Sequence, residues 1–93
     1  MRVSFSPRAL RQIEEVSTHI AADNPTAAAA WLRRVEALTS LLGTRPHMGR
    51  PTNRAGFRAI SVRSYPYVMF YTVLEQAEEV RIVRIRQTAQ RPE

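Results

Sequence analysis

The chain has 93 residues, 44% of them apolar, which suits one globular domain spanning 1–93 and leaves no room for a second core. Its net charge is +6, and all 14 basic residues are arginine; without lysine there is no Schiff-base chemistry, and the positive balance implies an acidic partner, nucleic acid or protein. The absence of cysteine excludes disulfide frameworks, thiolate zinc sites and cysteine nucleophiles, and fits a reducing compartment, with the cytoplasm expected.

The opening stretch MRVSFSPRAL meets charge within a few residues, so neither a signal peptide nor a membrane span is expected there. Within it, Val3 and Phe5 share one side at period two, predicting a first strand over Arg2 to Phe5. Ser6 then caps a helix whose first position is Pro7, where the missing N–H costs nothing. Leu10, Ile13, Val16 and Ile20 form its apolar stripe, while Arg11 and Glu15 pair on the wet face. Asn24 and Pro25 repeat the same start signal, so a second helix follows at once and the two form an antiparallel hairpin. Its main stripe is Ala28, Trp31, Leu32, Val35, Leu38 and Leu42, with a second stripe of Ala27, Ala30, Ala37 and Leu41 interrupted by Arg34. Gly43 followed by Pro46 ends it.

Gly43 to Gly56 holds all three glycines and two prolines with no sustained period, and reads as a loop. From Phe57 the period becomes two, with Arg58, Ile60 and Val62 on one face and Ala59, Ser61 and Arg63 on the other. Tyr67 to Leu74 is apolar on both faces, as a central strand requires. Glu75 to Glu79 is an acidic hairpin link to a last strand over Val80 to Arg86, where Arg81, Val83 and Ile85 alternate with Ile82, Arg84 and Arg86. The order βααβββ predicts an α+β domain, a helical hairpin on one face of a small, mainly antiparallel sheet.

The chain resembles the ParE/RelE superfamily of toxins from type II toxin–antitoxin systems, and most closely its ParE-like members. The resemblance spans nearly the whole chain. It is carried by Asn24-Pro25 with Ala27 and Ala28, by Pro46-His47-Met48-Gly49-Arg50-Pro51, by Arg58, and by Tyr65-Pro66-Tyr67 leading to Phe70-Tyr71. It implies one of two activities on the same fold: cutting messenger RNA in the ribosomal decoding site, or blocking DNA gyrase.

A metal-independent ribonuclease needs a base for the 2′-hydroxyl and donors for the phosphorane. His19 falls on the polar side of the first helix and reads as a surface residue, and His47 lies in the loop without a second positioned base. Where many family members carry a histidine after the last strand, this chain has Gln87, which cannot act as a base; the family's trailing arginine corresponds to Ala89 or Gln90. No catalytic residue is therefore assigned, and no metal or cofactor is implied. Gyrase inhibition without bond-making is the leading expectation, with Arg58, Arg63, Arg84, Arg86 and Gln87 as candidate target-binding residues, several of them collected on the sheet face away from the helices. The ribonuclease, and a silent toxin relic that still binds its antitoxin, are the alternatives. Tyr65, Tyr67 and Tyr71 read as packing residues.

The resemblance also implies a cognate acidic antitoxin, ParD-like or similar, that wraps the toxin into a hetero-oligomer through an amphipathic helix and an added strand. Trp31, Arg34 and Leu41 are its candidate contacts, because the second helix has more apolar surface than one interface needs.

Overall fold

The computed structural model describes residues 1–88 and gives the order β1 (Arg2–Phe5), α1 (Pro7–Asp23), α2 (Pro25–Thr44), β2 (Arg50–Pro51), β3 (Phe57–Val62), β4 (Tyr67–Leu74) and β5 (Glu79–Gln87). The five strands form one sheet in the order β1-β5-β4-β3-β2, with β1 parallel to β5 and every other pair antiparallel. The α1–α2 hairpin covers one face. Both helices start as their capping residues dictate: Ser6 Oγ accepts from the Ala9 amide at 3.0 Å and Asn24 Oδ1 from that of Ala27 at 3.1 Å. Neither helix is long and apolar enough to cross a membrane.

Between hairpin and sheet lies the core, with Ile13, Val16, Trp31, Val35 and Leu42 from the helices meeting Val62, Met69, Tyr71, Val80, Ile82 and Ile85 from the strands. Trp31 is fully buried, donates its indole N–H to the Ile13 carbonyl, and packs edge-on to Tyr65 with centroids 5.2 Å apart.

The structure corrects the sequence reading in five places. The loop after α2 contains a seventh element of regular backbone, the short β2, whose Arg50 and Pro51 pair with Ala59 and Arg58. A two-residue edge strand has too few positions to show a period. Helix α2 runs through Gly43 to Thr44, so Gly43 does not end it; the glycine answers a close approach instead, since a Cβ there would stand 2.9 Å from the Met1 carbonyl. Leu10 and Leu32, counted in the apolar stripes, are half exposed; Ala9 takes the buried place on α1. Glu79 is the first residue of β5 and is buried, not part of the solvated link.

The fifth correction matters most for the site. Phe70 pairs with Arg84 but the next residue, Tyr71, pairs with Ile82, so Val83 is an extra residue that breaks the alternation of β5. Ile82 and Ile85 consequently both face the core, and Ile82 does not share a face with Arg84 and Arg86. Arg81, Arg84 and Arg86 are returned together to the face that the helices leave open.

Candidate functional site on the open face of the sheet

The arginines of the open face fall into two groups that differ in their counter-charges. At the β1 end, the buried Glu79 carboxylate accepts from Arg2 at 3.0 Å, from Arg81 at 3.1 and 3.2 Å, and from the Ser4 hydroxyl. The Ser4 and Arg2 hydrogen bonds outweigh the cost of burial and hold its pKa down to about 2. The net charge of that end is small, because the Glu79 carboxylate is shared between two arginines.

The other end is different. Arg8 from the first turn of α1, Thr52, Asn53, Arg54 and Phe57 from the segment between β2 and β3, Phe70 from β4, and Val83, Arg84 and Arg86 from β5 line a cavity of about 400 Å³. Four guanidinium groups thus share one concavity, and among the described residues none of them has a carboxylate within 4.0 Å. Arg84 is seated deepest: its guanidinium lies 4.9 Å from the centre of the Phe70 ring. Its pKa is lowered, first by desolvation and then by repulsion from Arg86, Arg8 and Arg54. Arg54 lies over the Phe57 ring at 4.3 Å, on a turn in which Thr52 Oγ1 accepts from the Arg54 amide and the Thr52 amide donates to the Phe57 carbonyl. Cations crowded without counter-ions raise the energy of the empty site, and an entering anion relieves it. The chemistry on offer is electrostatic clamping of phosphate or carboxylate. Among the described residues, no imidazole, carboxyl, thiol or phenol lines the cavity.

Of the residues singled out by sequence, Arg84 and Arg86 are brought together here. Arg58 is not: it has the parity of Tyr71, on the helix side of the sheet, and its guanidinium donates to the carbonyls of Gly49 at 2.7 Å and His47 at 3.2 Å. It holds a loop in place. Arg63 lies exposed in the turn after β3, and Gln87 pairs with Tyr67 at helix-side parity, so neither lines the cavity. Ala89 and Gln90 lie outside the described residues. Arg8 and Arg54 were missed by sequence reasoning. Arg8 follows a helix cap and Arg54 stands in a segment without period, so only the folded path of the chain joins them to β5. His47 is exposed with its Nε2 at 2.9 Å from Glu75, beside a smaller cavity of about 220 Å³ that also includes Arg58 and Val73. His19 is exposed.

On the outer surface of the helices, Arg34 and Leu41 are exposed and seven positions apart, hence on one stripe of α2. Trp31, completely enclosed in the core, is not available to a partner.

A family model described as ParE toxin of type II toxin-antitoxin system, parDE, matches residues 3–92. A curated protein of Sinorhizobium fredii named "Putative toxin Y4kP" is 28% identical over 86 residues, covering 92% of this chain and 90% of its own. The solved structure titled "Chromosomal ParDE TA system from P. aeruginosa" has the same fold at a TM-score of 0.79, with 19% identity over 94% of this chain and 95% of the other. The isolated E. coli RelE toxin gives 0.70, with 17% identity over 99% and 87% of the two chains. A chain of the structure titled "Crystal structure of the intact E. coli RelBE toxin-antitoxin complex" also gives 0.70, with 16% identity over 97% and 98%.

Proposed function

The chain belongs to the ParE toxin family of type II toxin–antitoxin systems, and from that premise we propose that it inhibits DNA gyrase by binding, without making or breaking bonds itself. The observation that carries this reading is the composition of the open-face cavity, in which Arg8, Arg54, Arg84 and Arg86 supply four fixed cations and, among the described residues, none of the lining supplies a base. Such a cavity grips an anionic group of a target and holds it. It is less suited to cleaving RNA, where the 2′-hydroxyl must lose a proton. The His47–Glu75 imidazole–carboxylate pair is held beside a different cavity.

In the cell, the toxin is held in a hetero-oligomer by an acidic antitoxin, in the cytoplasm where gyrase and DNA are found. The +6 charge favours such a partner, and exposed Arg34 and Leu41, on one stripe of α2, offer it a mixed apolar and basic surface. The solved relatives include complexes titled ParDE and RelBE.

The test is a supercoiling assay with purified chain freed of antitoxin, DNA gyrase, ATP and relaxed plasmid. Dose-dependent loss of supercoiling or trapped double-strand cleavage, reversed by added antitoxin, supports the proposal. Folded protein that leaves gyrase untouched overturns it; cleavage of messenger RNA on ribosomes by that same protein would establish the ribonuclease.

A further inference from the structure

We infer that Gln12 and Ser6, two uncharged residues at the start of α1, are positioning residues that set the backbone under Arg84 and so aim its guanidinium into the open-face cavity. The inference rests on the reading of that cavity as the target-binding site.

β1 accompanies β5 only as far as the Phe5↔Ile82 pair, after which the Ser6 amide donates to the Ile82 carbonyl and the chain turns away into α1. Among the described residues, no strand lies beside that edge of β5 from Val83 onward, the very residue where the bulge interrupts its pairing with β4. Two side chains, those of the capping Ser6 and of Gln12 in α1, take the strand's place. Ser6 Oγ donates to the Val83 carbonyl at 3.0 Å, and the Ile85 amide donates to Gln12 Oε1 at 2.7 Å. These are the backbone carbonyl just before Arg84 and the backbone amide just after it. Both peptide planes flanking Arg84 are thereby fixed from α1, and its side chain leaves the strand toward the Phe70 ring.

The arrangement has a consequence for charge. A guanidinium whose pKa is lowered by burial and by three neighbouring arginines is pushed away from the cavity by those neighbours. A bulged strand edge is also the least constrained part of a sheet. Without the two bonds from α1, Arg84 would move outward into solvent. Ser6 has a second duty as the helix cap, whereas Gln12 is half-buried and has its carbonyl committed to Ile85, so Gln12 is the cleaner probe.

The experiment compares the full-length wild type with Gln12→Met, which fills similar volume but accepts no hydrogen bond, and Gln12→Glu, which restores an acceptor oxygen at the same reach. Each is measured for its Arg84 Nε–H signal by NMR, for thermal midpoint and for gyrase inhibition. In wild type the Arg84 signal carries the ring-current shift of Phe70. The expected result is a folded Gln12→Met protein in which that shift collapses and gyrase inhibition weakens by about tenfold or more, the loss of one charge-assisted contact; Gln12→Glu recovers the shift. An Arg84 signal unchanged in folded Gln12→Met overturns the inference. If Gln12→Met does not fold, Gln12→Asn, polar but one methylene short, takes its place with the same two readings. A wild type inactive on gyrase removes the proposed function, yet the Arg84 signal still decides the role of Gln12.

Discussion

The Gly49 amide donates to the Tyr71 hydroxyl at 2.8 Å, and a Cβ added at Gly49 would stand 2.7 Å from that same oxygen and 2.8 Å from the Ala59 carbonyl. The loop after α2 is therefore sealed onto the sheet by a contact that admits no side chain. Arg58 completes the seal by donating to the Gly49 carbonyl. Gly49→Ala should cost about 1–3 kcal/mol through overpacking. Tyr71→Phe should cost about the same, because a buried N–H loses its acceptor. Urea denaturation of both variants checks this, and a midpoint equal to wild type in Gly49→Ala would contradict the contact.

Stability should depend on pH at both extremes, for separate reasons. Glu79 has a folded pKa near 2, below its ordinary value of 4.5, so its contribution is fully present above about 4.5 and is lost as pH falls from there toward 2. Tyr71 is shifted the other way: burial raises its pKa above 10.0, so the folded state prefers the neutral phenol and loses stability as pH rises beyond 10. Thermal melts across pH should show both limbs. In Glu79→Gln the acid limb should shrink while the alkaline limb stays.

Removing charge from the cavity should separate function from folding. Arg84→Gln and Arg54→Gln relieve repulsion among cations that have no carboxylate within 4.0 Å among the described residues, so stability should stay within about 0.5 kcal/mol of wild type or rise. Gyrase inhibition should fall in both. Arg81→Gln should do the reverse, leaving inhibition intact while weakening the Glu79 cluster.

Trp31 and Leu41 should respond oppositely although they lie on the same helix. Trp31→Ala empties the centre of the core and should cost about 3–5 kcal/mol, a large part of the roughly 5–14 kcal/mol available to a chain of this size. Leu41→Ser, at an exposed position, should leave the melting midpoint almost unchanged and lower the affinity for the antitoxin, measured by titration calorimetry.

Much of the architecture was legible before folding. Ser6-Pro7 and Asn24-Pro25 act through local hydrogen bonds and a fixed φ, so the starts of α1 and α2 needed no tertiary context. The alternation in β3 and the apolar run of β4 marked an edge-ward and a central strand for the same reason: the side-chain period is a property of the backbone. The site was only half visible. Arg84 and Arg86 could be placed on one face by counting, but Arg58, grouped with them by charge and family resemblance, proved to be a loop anchor on the other side. Arg8 and Arg54 carried no period and no motif that would join them to β5.

By itself, then, the sequence determined the order of elements, the hairpin, the excess of fixed positive charge and the family resemblance, because each depends on residues close together in the chain or on composition. The tertiary structure decided where that charge is concentrated. One extra residue, Val83, reverses the faces of the last strand, and side chains from Ser6 and Gln12, 77 and 73 positions away from their partners, hold it there. Which arginines meet in the cavity, and which are neutralised by Glu79, follows from strand register and helix docking, and those are set by long-range packing that no local pattern encodes.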